Sequence, residues 1–154
     1  MSKSLIETPL IEITLRKYEK PEIKSKRNLV KKLCLSLGIL QPGDSRDIIV
    51  DIFYILLEER NNNKLISSEE IREKVIELRK KEKLSLNGVA SSNIRRQLKR
   101  LRDIFLVEKI KNNYRITEFL SLSYIFQDKI MQFMLPTIIT RIKDYISETD
   151  SYFN

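Results

Sequence analysis

A helix-forming stretch rich in arginine and lysine is followed at once by two short segments of alternating polarity, between residues 91 and 117. Its apolar residues recur at intervals of four, three and four, which predicts one stripe along an α-helix. The two following segments flank Asn112-Asn113, a pattern typical of a β-hairpin. The fold must therefore bury one side of this helix on a body that also carries a small hairpin. The stripe residues are Ile94, Leu98, Leu101 and Phe105.

Two helices are predicted upstream, the first over about residues 25 to 37. Leu29, Leu33 and Leu37 share a face, and Gly38 can end the helix in a left-handed conformation. Cys34 lies in the apolar run of this helix, and a lone cysteine there is expected to be a small buried residue. The second helix is predicted to start at a cap, Asp44 or Ser45, and to end near residue 60. It is apolar over most of its circumference, which predicts a position in the middle of the core.

A short strand over residues 64 to 66 and a third helix are predicted next. Ser67 and Glu70 have the spacing of a capping box, so this helix is predicted from about Ser68 to Lys81. Its inward residues are expected to be Ile71, Val75 and Leu78.

A last helical region is predicted from about residue 120 to 146, capped by Thr117 and kinked or broken at Pro136. A tail is expected over residues 148 to 154. The region has more apolar surface than a small domain needs for internal packing. It either packs within the chain or forms the seam of a homodimer. Its apolar positions are Leu122, Ile125, Phe126, Ile130, Phe133, Met134, Ile138, Ile142 and Tyr145.

The formal net charge of +8 is concentrated in two stretches. Residues 16 to 32 and residues 84 to 115 each contain eight basic and two acidic residues, a net charge of +6 apiece. Clustered positive charge favours a nucleic-acid partner over a uniformly solvated surface. Residues 1 to 24 are predicted to be a basic flexible arm, which either follows a phosphate backbone or is a solvated tail. A short strand over residues 10 to 15 is possible within it.

Several classes of function are disfavoured by the residues that are missing. The chain has no histidine and one cysteine, so it lacks the commonest general base and the usual transition-metal ligands. It also has no glycine-rich phosphate loop. We therefore predict no enzymatic activity, no metal and no cofactor. No apolar run reaches membrane-spanning length and no signal peptide is recognisable, so a cytoplasmic protein without a membrane partner is expected.

The segments Ile94–Leu101, Leu106–Lys109 and Tyr114–Thr117 resemble the recognition helix and wing of prokaryotic winged-helix regulators. They look most like archaeal members related to the MarR and PadR groups. The resemblance implies a mostly α-helical winged helix-turn-helix with a small β-hairpin wing and extra N-terminal and C-terminal helices. The winged-helix domain would span residues 25 to 118, and residues 119 to 154 would form a C-terminal region for dimerisation.

Two features depart from that family pattern. Phe105 stands where many such proteins have a glycine that lets the chain leave the helix in a left-handed turn. The connector between the third and fourth helices is also longer than the usual tight turn, which would alter the tilt of the recognition helix.

The resemblance implies a duplex-DNA-binding protein that regulates transcription. The alternative is an accessory subunit that docks onto a larger transcription or replication complex. The start of the basic helix would face base edges, its later part phosphates, and the wing the neighbouring backbone. The base-contacting candidates are Ser92, Asn93, Arg95 and Arg96. The phosphate-contacting candidates are Lys99, Arg100 and Arg102. The wing candidates are Lys109, Lys111, Asn112 and Arg115, with Asn112 and Asn113 at the tip.

Overall fold

The structure, a computed structural model, describes residues 6–22 and 24–154. The described chain is mostly helical with a small three-stranded antiparallel sheet, which confirms the coarse fold prediction. The helices are α1 (Lys26–Ser36), α2 (Ile48–Arg60), α3 (Ser68–Lys81) and α4 (Ser91–Asp103). The strands are β1 (Ile66–Ser67), β2 (Val107–Ile110) and β3 (Asn113–Ile116). A final helix, α5, runs without a break through Leu122–Ile125, a π-helical stretch Phe126–Met134, and Leu135–Phe153.

The sheet has the strand order β1-β3-β2, so β3 lies in the middle. Ile66 of β1 pairs with Tyr114, and Val107 of β2 pairs with Ile116. Tyr114 and Ile116 are both buried, which joins the hairpin to the core. The element order between residues 48 and 116 is therefore helix, strand, helix, helix and hairpin.

The tip of the hairpin lies one residue earlier than predicted. Lys111 and Asn112 form the turn, with Lys111 at a φ of 56°, and Asn113 is already the first residue of β3. Asn113 pairs with Ile110 on one side and with Ser67 on the other. Because Asn113 pairs with both neighbouring strands, it belongs to the sheet and not to the turn.

Helix α2 lies at the centre of the core, as its apolar sequence predicts. Phe53 and Ile52 have no exposed surface, and α1, α3 and α4 all pack against this helix. The apolar stripe of α4 is buried against it: Ile94, Leu98 and Leu101 are completely covered. At about 25 cal/mol per Å² of apolar surface, burial of this stripe is what holds α4 in place.

The inward face of α1 differs from the prediction. Val30, Cys34 and Leu37 face the core, whereas Leu29 is 40% exposed and Leu33 only partly buried. With this face turned inward, Arg27 reaches the carboxylates of Asp47, just before α2, and Asp51, within it. The predicted end of the helix is confirmed, because Gly38 has a φ of 70°.

The predicted cap of α2 is wrong, whereas that of α3 is confirmed. Asp44 accepts a hydrogen bond from the backbone N–H of Arg46 in a turn, and α2 begins three residues after Ser45. Asp47 precedes the helix without capping it, since its carboxylate forms ion pairs with Arg27 and Arg79. In α3, the Ser67 hydroxyl accepts from the Glu70 N–H, and the Glu70 carboxylate accepts from the Ser67 N–H.

The described part of the arm lies against α1. Residues 10 to 15 form no strand. Arg16 donates to the carbonyl oxygens of Leu35, in the last turn of α1, and Leu40, beyond it, at 2.8 and 3.2 Å. Lys32 lies over the Tyr18 ring at 4.9 Å. Residues 1–5 and 23 of the predicted arm lie outside the described residues, and flexibility of the arm stays a prediction.

Helix α5 corrects three predictions about the C-terminal region. Its cap is Ser121, whose hydroxyl accepts from the Tyr124 N–H, while Thr117 begins a short turn and donates to the carbonyl of Phe105. Pro136 does not break the helix, so that part of the prediction is wrong. The π-helical stretch Phe126–Met134 ends two residues before it, and because proline and π-helical segments are both usual positions of a kink, the predicted kink stays a prediction. The predicted tail is helical as far as Phe153.

Candidate nucleic-acid interface

Helix α4 presents its buried stripe to the core and a cationic face to solvent. Five of the predicted contact residues on this face are exposed. Lys99 pairs with Asp103 at 3.1 Å, but both side chains are more than half exposed, so this contact restrains Lys99 weakly. The exposed candidates are Ser92, Arg95, Arg96, Lys99 and Arg102.

A second row of polar side chains lies on one flank of α4 and is held by internal hydrogen bonds. Asn93 donates to the carbonyl of Gly88 at 2.7 Å and accepts from Gln97 at 3.0 Å and Arg96 at 3.3 Å. Arg100 donates to the Gln97 side chain at 2.9 Å. Asn93 would have to give up these bonds to pair with adenine, so in this arrangement it positions its neighbours. Arg96 and Arg100 keep further N–H groups for an anion.

An open cleft of about 650 Å³ separates this flank from the start of α2. Asp44 and the backbone around Gly88 complete its lining. Arg46, Arg96 and Arg100 all line this cleft. Arg46 could not be predicted as a candidate from the sequence, because it lies more than forty residues before α4 and belongs to no helical pattern.

The hairpin divides the predicted wing residues into two groups. Lys109, Lys111 and Asn112 are exposed. Arg115 instead contacts other side chains of the protein. Its Nε lies 2.6 Å from the Glu108 carboxylate, and its guanidinium lies 4.8 Å from the centre of the Phe119 ring. Arg115 therefore stiffens the hairpin and is less available to a ligand than the lysines.

The long connector between α3 and α4 is pinned by side chains of α3. Arg72 donates to the carbonyl of Val89 at 2.7 Å, and Arg79 donates to that of Ser85 at 2.5 Å. Ser91 at the start of α4 donates to Glu69 at 3.1 Å. These contacts fix the position of α4 across a connector longer than a tight turn.

A buried ion-pair cluster, Arg27, Asp47, Asp51 and Arg79, underlies this arrangement. Arg79 is 2% exposed and lies 2.6 Å from Asp51 and 3.0 Å from Asp47. Arg27 lies 2.8 Å from Asp51 and 3.1 Å from Asp47. Burial alone would raise the pKa of Asp47, but the hydrogen bonds and charges of Arg27 and Arg79 outweigh it and lower the pKa below its ordinary value. The cluster joins α1, α2 and α3, and Arg79 extends it to the connector.

Phe105 connects the end of α4 to α5 through a strained backbone. Its φ of 66° is in the left-handed region, which costs a non-glycine residue roughly 1–2 kcal/mol. Its ring packs edge-to-face on Phe133 at 5.8 Å, and Lys129 lies 5.6 Å from its centre. The phenylalanine thus adopts the left-handed turn expected of a glycine, and its ring contacts compensate for the strain.

The only cysteine has no part in the interface. Cys34 is completely buried, as predicted, and burial raises the pKa of its thiol to about 12. It therefore remains protonated and unreactive at neutral pH. Within residues 6–22 and 24–154, no group of three or more acidic or cysteine side chains is placed to hold a metal ion.

No helix in the described part of the chain combines the length and apolarity needed to span a membrane. Comparison with known proteins finds no matching family profile, no similar curated protein and no similar solved structure. The resemblance to winged-helix regulators therefore stays a prediction that rests on the residues and the geometry described above.

Proposed function

We propose that residues 45 to 117 form a winged helix-turn-helix and that the chain binds duplex DNA. Helix α4 enters the major groove, and the β2–β3 hairpin contacts the adjacent backbone. Support comes from the element order and from the sheet order β1-β3-β2, which packs the hairpin beside α4. The role proposed for this binding is regulation of transcription, and the location proposed for the protein is the cytoplasm.

The observation that carries this proposal is the exposed face of α4. A helix that buries one side completely and presents four exposed cations on the other has the dimensions and charge to occupy a major groove. Arg95 and Arg96, near its start, are the candidates for guanine recognition. Lys99 and Arg102 lie further along and contact phosphates.

The cleft beside α4 adds a phosphate contact to this proposal. Arg46 and Arg100 both line it, and a backbone phosphate held between them would receive hydrogen bonds from two guanidinium groups. The contact anchors α4 in register along the groove, independently of base sequence.

A salt titration of binding to duplex DNA tests the function. If six phosphates are neutralised, log K falls against log salt with a slope of roughly −5. Arg46→Ala and Arg102→Ala are each expected to weaken binding and make that slope shallower by about one. Lys74→Ala is the matched control, since it removes one exposed positive charge from α3, outside the proposed interface. Absence of binding at low salt contradicts the proposal.

A second candidate function is supported by a different observation. The last part of α5, Leu135–Phe153, has no buried residue although one side of it is apolar. An accessory subunit that docks onto a larger assembly would present such a surface to another protein. A purified chain that neither binds duplex DNA nor associates with itself favours this alternative over the regulator.

A further inference from the structure

The last part of α5, Leu135–Phe153, carries an apolar face that no described part of the chain covers. Residues before it are packed: Ile125, Ile130 and Met134 are at most 2% exposed. In Leu135–Phe153 none is buried, and Ile142 and Tyr145 are 51% and 71% exposed. An apolar face this long is typical of an interface.

The apolar residues of this segment follow a seven-residue repeat. Leu135 and Ile142 occupy one position of the repeat, with Thr149 as its third member. Ile138, Tyr145 and Tyr152 occupy the position three residues later, and the residues after them, Ile139, Ile146 and Phe153, widen the stripe. The helix has 19 residues, about 28 Å at 1.5 Å per residue, which is long enough for almost three repeats. A sustained repeat of this kind predicts pairing with another helix as a coiled coil.

The charges of the segment favour a second copy of the same segment, in the antiparallel direction, as the partner. Its first half contains the basic residues Arg141 and Lys143, and its second half contains Asp144, Glu148 and Asp150. Two parallel copies would place like charges beside each other. Two antiparallel copies place the basic half of each beside the acidic half of the other. A second copy of this chain, in the antiparallel direction, is therefore complementary in both shape and charge.

We propose that Leu135–Phe153 pairs with the same segment of a second copy as an antiparallel coiled coil. The twofold axis passes between Lys143 and Asp144. Ile142 then lies opposite Tyr145 of the second copy, and Ile138 lies opposite its Thr149. Arg141 comes beside Glu148 of the second copy, at the edge of the seam.

Two consequences follow for the molecule. The apolar stripe becomes covered along its whole length, since the first half of each segment packs on the second half of the same segment in the other copy. The twofold axis also relates the two α4 helices, so the dimer would match a DNA site with inverted symmetry. The pairing itself does not depend on DNA binding, and it is tested without DNA.

Sedimentation of the full chain at micromolar concentration gives the first test. The wild type is expected to be a dimer, and Ile142→Glu is expected to halve the mass because it buries a charge in the seam. Ser147→Glu is the matched control: it adds the same charge to the same helix on the side away from the repeat, and it leaves the dimer intact. Unfolding curves show whether the body of each variant remains folded. A monomeric wild type, or a trimer, overturns the proposal.

Disulfide trapping gives the direction of pairing. Ile138→Cys and Thr149→Cys chains, mixed under a mild thiol oxidant such as diamide, are expected to form a cross-linked dimer that neither variant forms efficiently alone. Cys34 does not interfere, because it is completely buried. Efficient cross-linking of Ile138→Cys with itself would show parallel helices and overturn the proposed arrangement.

Discussion

Helix α4 and the last part of α5 have the same kind of sequence but different surroundings. Each has apolar residues along one side and polar or charged residues along the other. In α4 the apolar residues Ile94, Leu98 and Leu101 are completely covered, whereas Ile142 and Tyr145 of α5 are at least half exposed. An amphipathic pattern therefore shows that a helix needs a covering surface, but not whether its own chain supplies that surface.

The difference arises from what lies next to each helix. Helix α4 is held between α2, α3 and the sheet, and side chains of α3 pin the connector that leads to it. Helix α5 packs on the core as far as Leu135, which is partly buried, and no residue after Met134 is fully buried.

The buried ion-pair cluster joins α1, α2 and α3, and Arg79 also holds the connector to α4, so breaking it should have the largest effect. Arg79→Ala leaves Asp51 buried with one partner fewer and is expected to lower the free energy of unfolding by about 3–5 kcal/mol. It also releases the connector, so DNA affinity falls as well. Denaturant unfolding measures the first effect. Lys74→Ala, which removes an exposed positive charge from the same helix, is the control. A loss below about 1 kcal/mol for Arg79→Ala would mean that the cluster does not hold α4.

Equivalent substitutions in the two apolar stripes should separate internal packing from association. Leu98→Ala in α4 creates a cavity and is expected to cost about 2–5 kcal/mol at every protein concentration. Ile142→Ala in α5 should reduce stability only where the dimer forms, so its effect on Tm disappears on dilution. Thermal unfolding at two protein concentrations measures both. An effect of Ile142→Ala that is independent of concentration would show that the stripe packs within one chain.

The exposed face of α4 should distinguish base contacts from phosphate contacts. Arg95→Ala and Arg96→Ala are expected to reduce discrimination between DNA sequences by roughly 1–3 kcal/mol. Lys99→Ala and Arg102→Ala should weaken binding to all sequences about equally. Binding to a selected site and to unrelated duplexes, measured at one salt concentration, provides the comparison. Uniform weakening by all four variants would mean that α4 contacts only the backbone.

Two substitutions of Phe105, where α4 joins α5, should differ from each other in stability by the smallest amount of the effects considered. Phe105→Ala loses the ring contacts and keeps the left-handed backbone, whereas Phe105→Gly loses the same contacts but removes the strain. Phe105→Gly should therefore be the more stable of the two by about 1 kcal/mol. Chemical denaturation of the pair measures the difference. Equal stability would indicate that the backbone relaxes when the ring is absent.

Much of the candidate interface could be predicted from the sequence, because the signals are local. The stripe of α4, the hairpin and the capping box of α3 each depend on residues at most four apart along the chain or on one tight turn. The exposed positions of Arg95, Arg96 and Lys99 follow directly from the position of the stripe. In contrast, Arg46 became a candidate only when folding placed it in the lining of the same cleft as Arg96 and Arg100.

Between residues 26 and 116 the sequence by itself determined the four helices and the hairpin, apart from their exact ends, and which side of α4 carries charge, since these depend on periodicity along the chain. Only the tertiary structure decided what those segments meet. The arginine–aspartate contacts of the buried cluster join residues 20 to 32 positions apart, and no local pattern encodes them. The internal bonds of Asn93, the left-handed backbone of Phe105 and the uncovered face of α5 likewise depend on neighbours that only folding supplies. Whether a residue is buried or paired depends on residues that are distant along the chain, whereas a periodic sequence specifies only which surface each helix or strand presents.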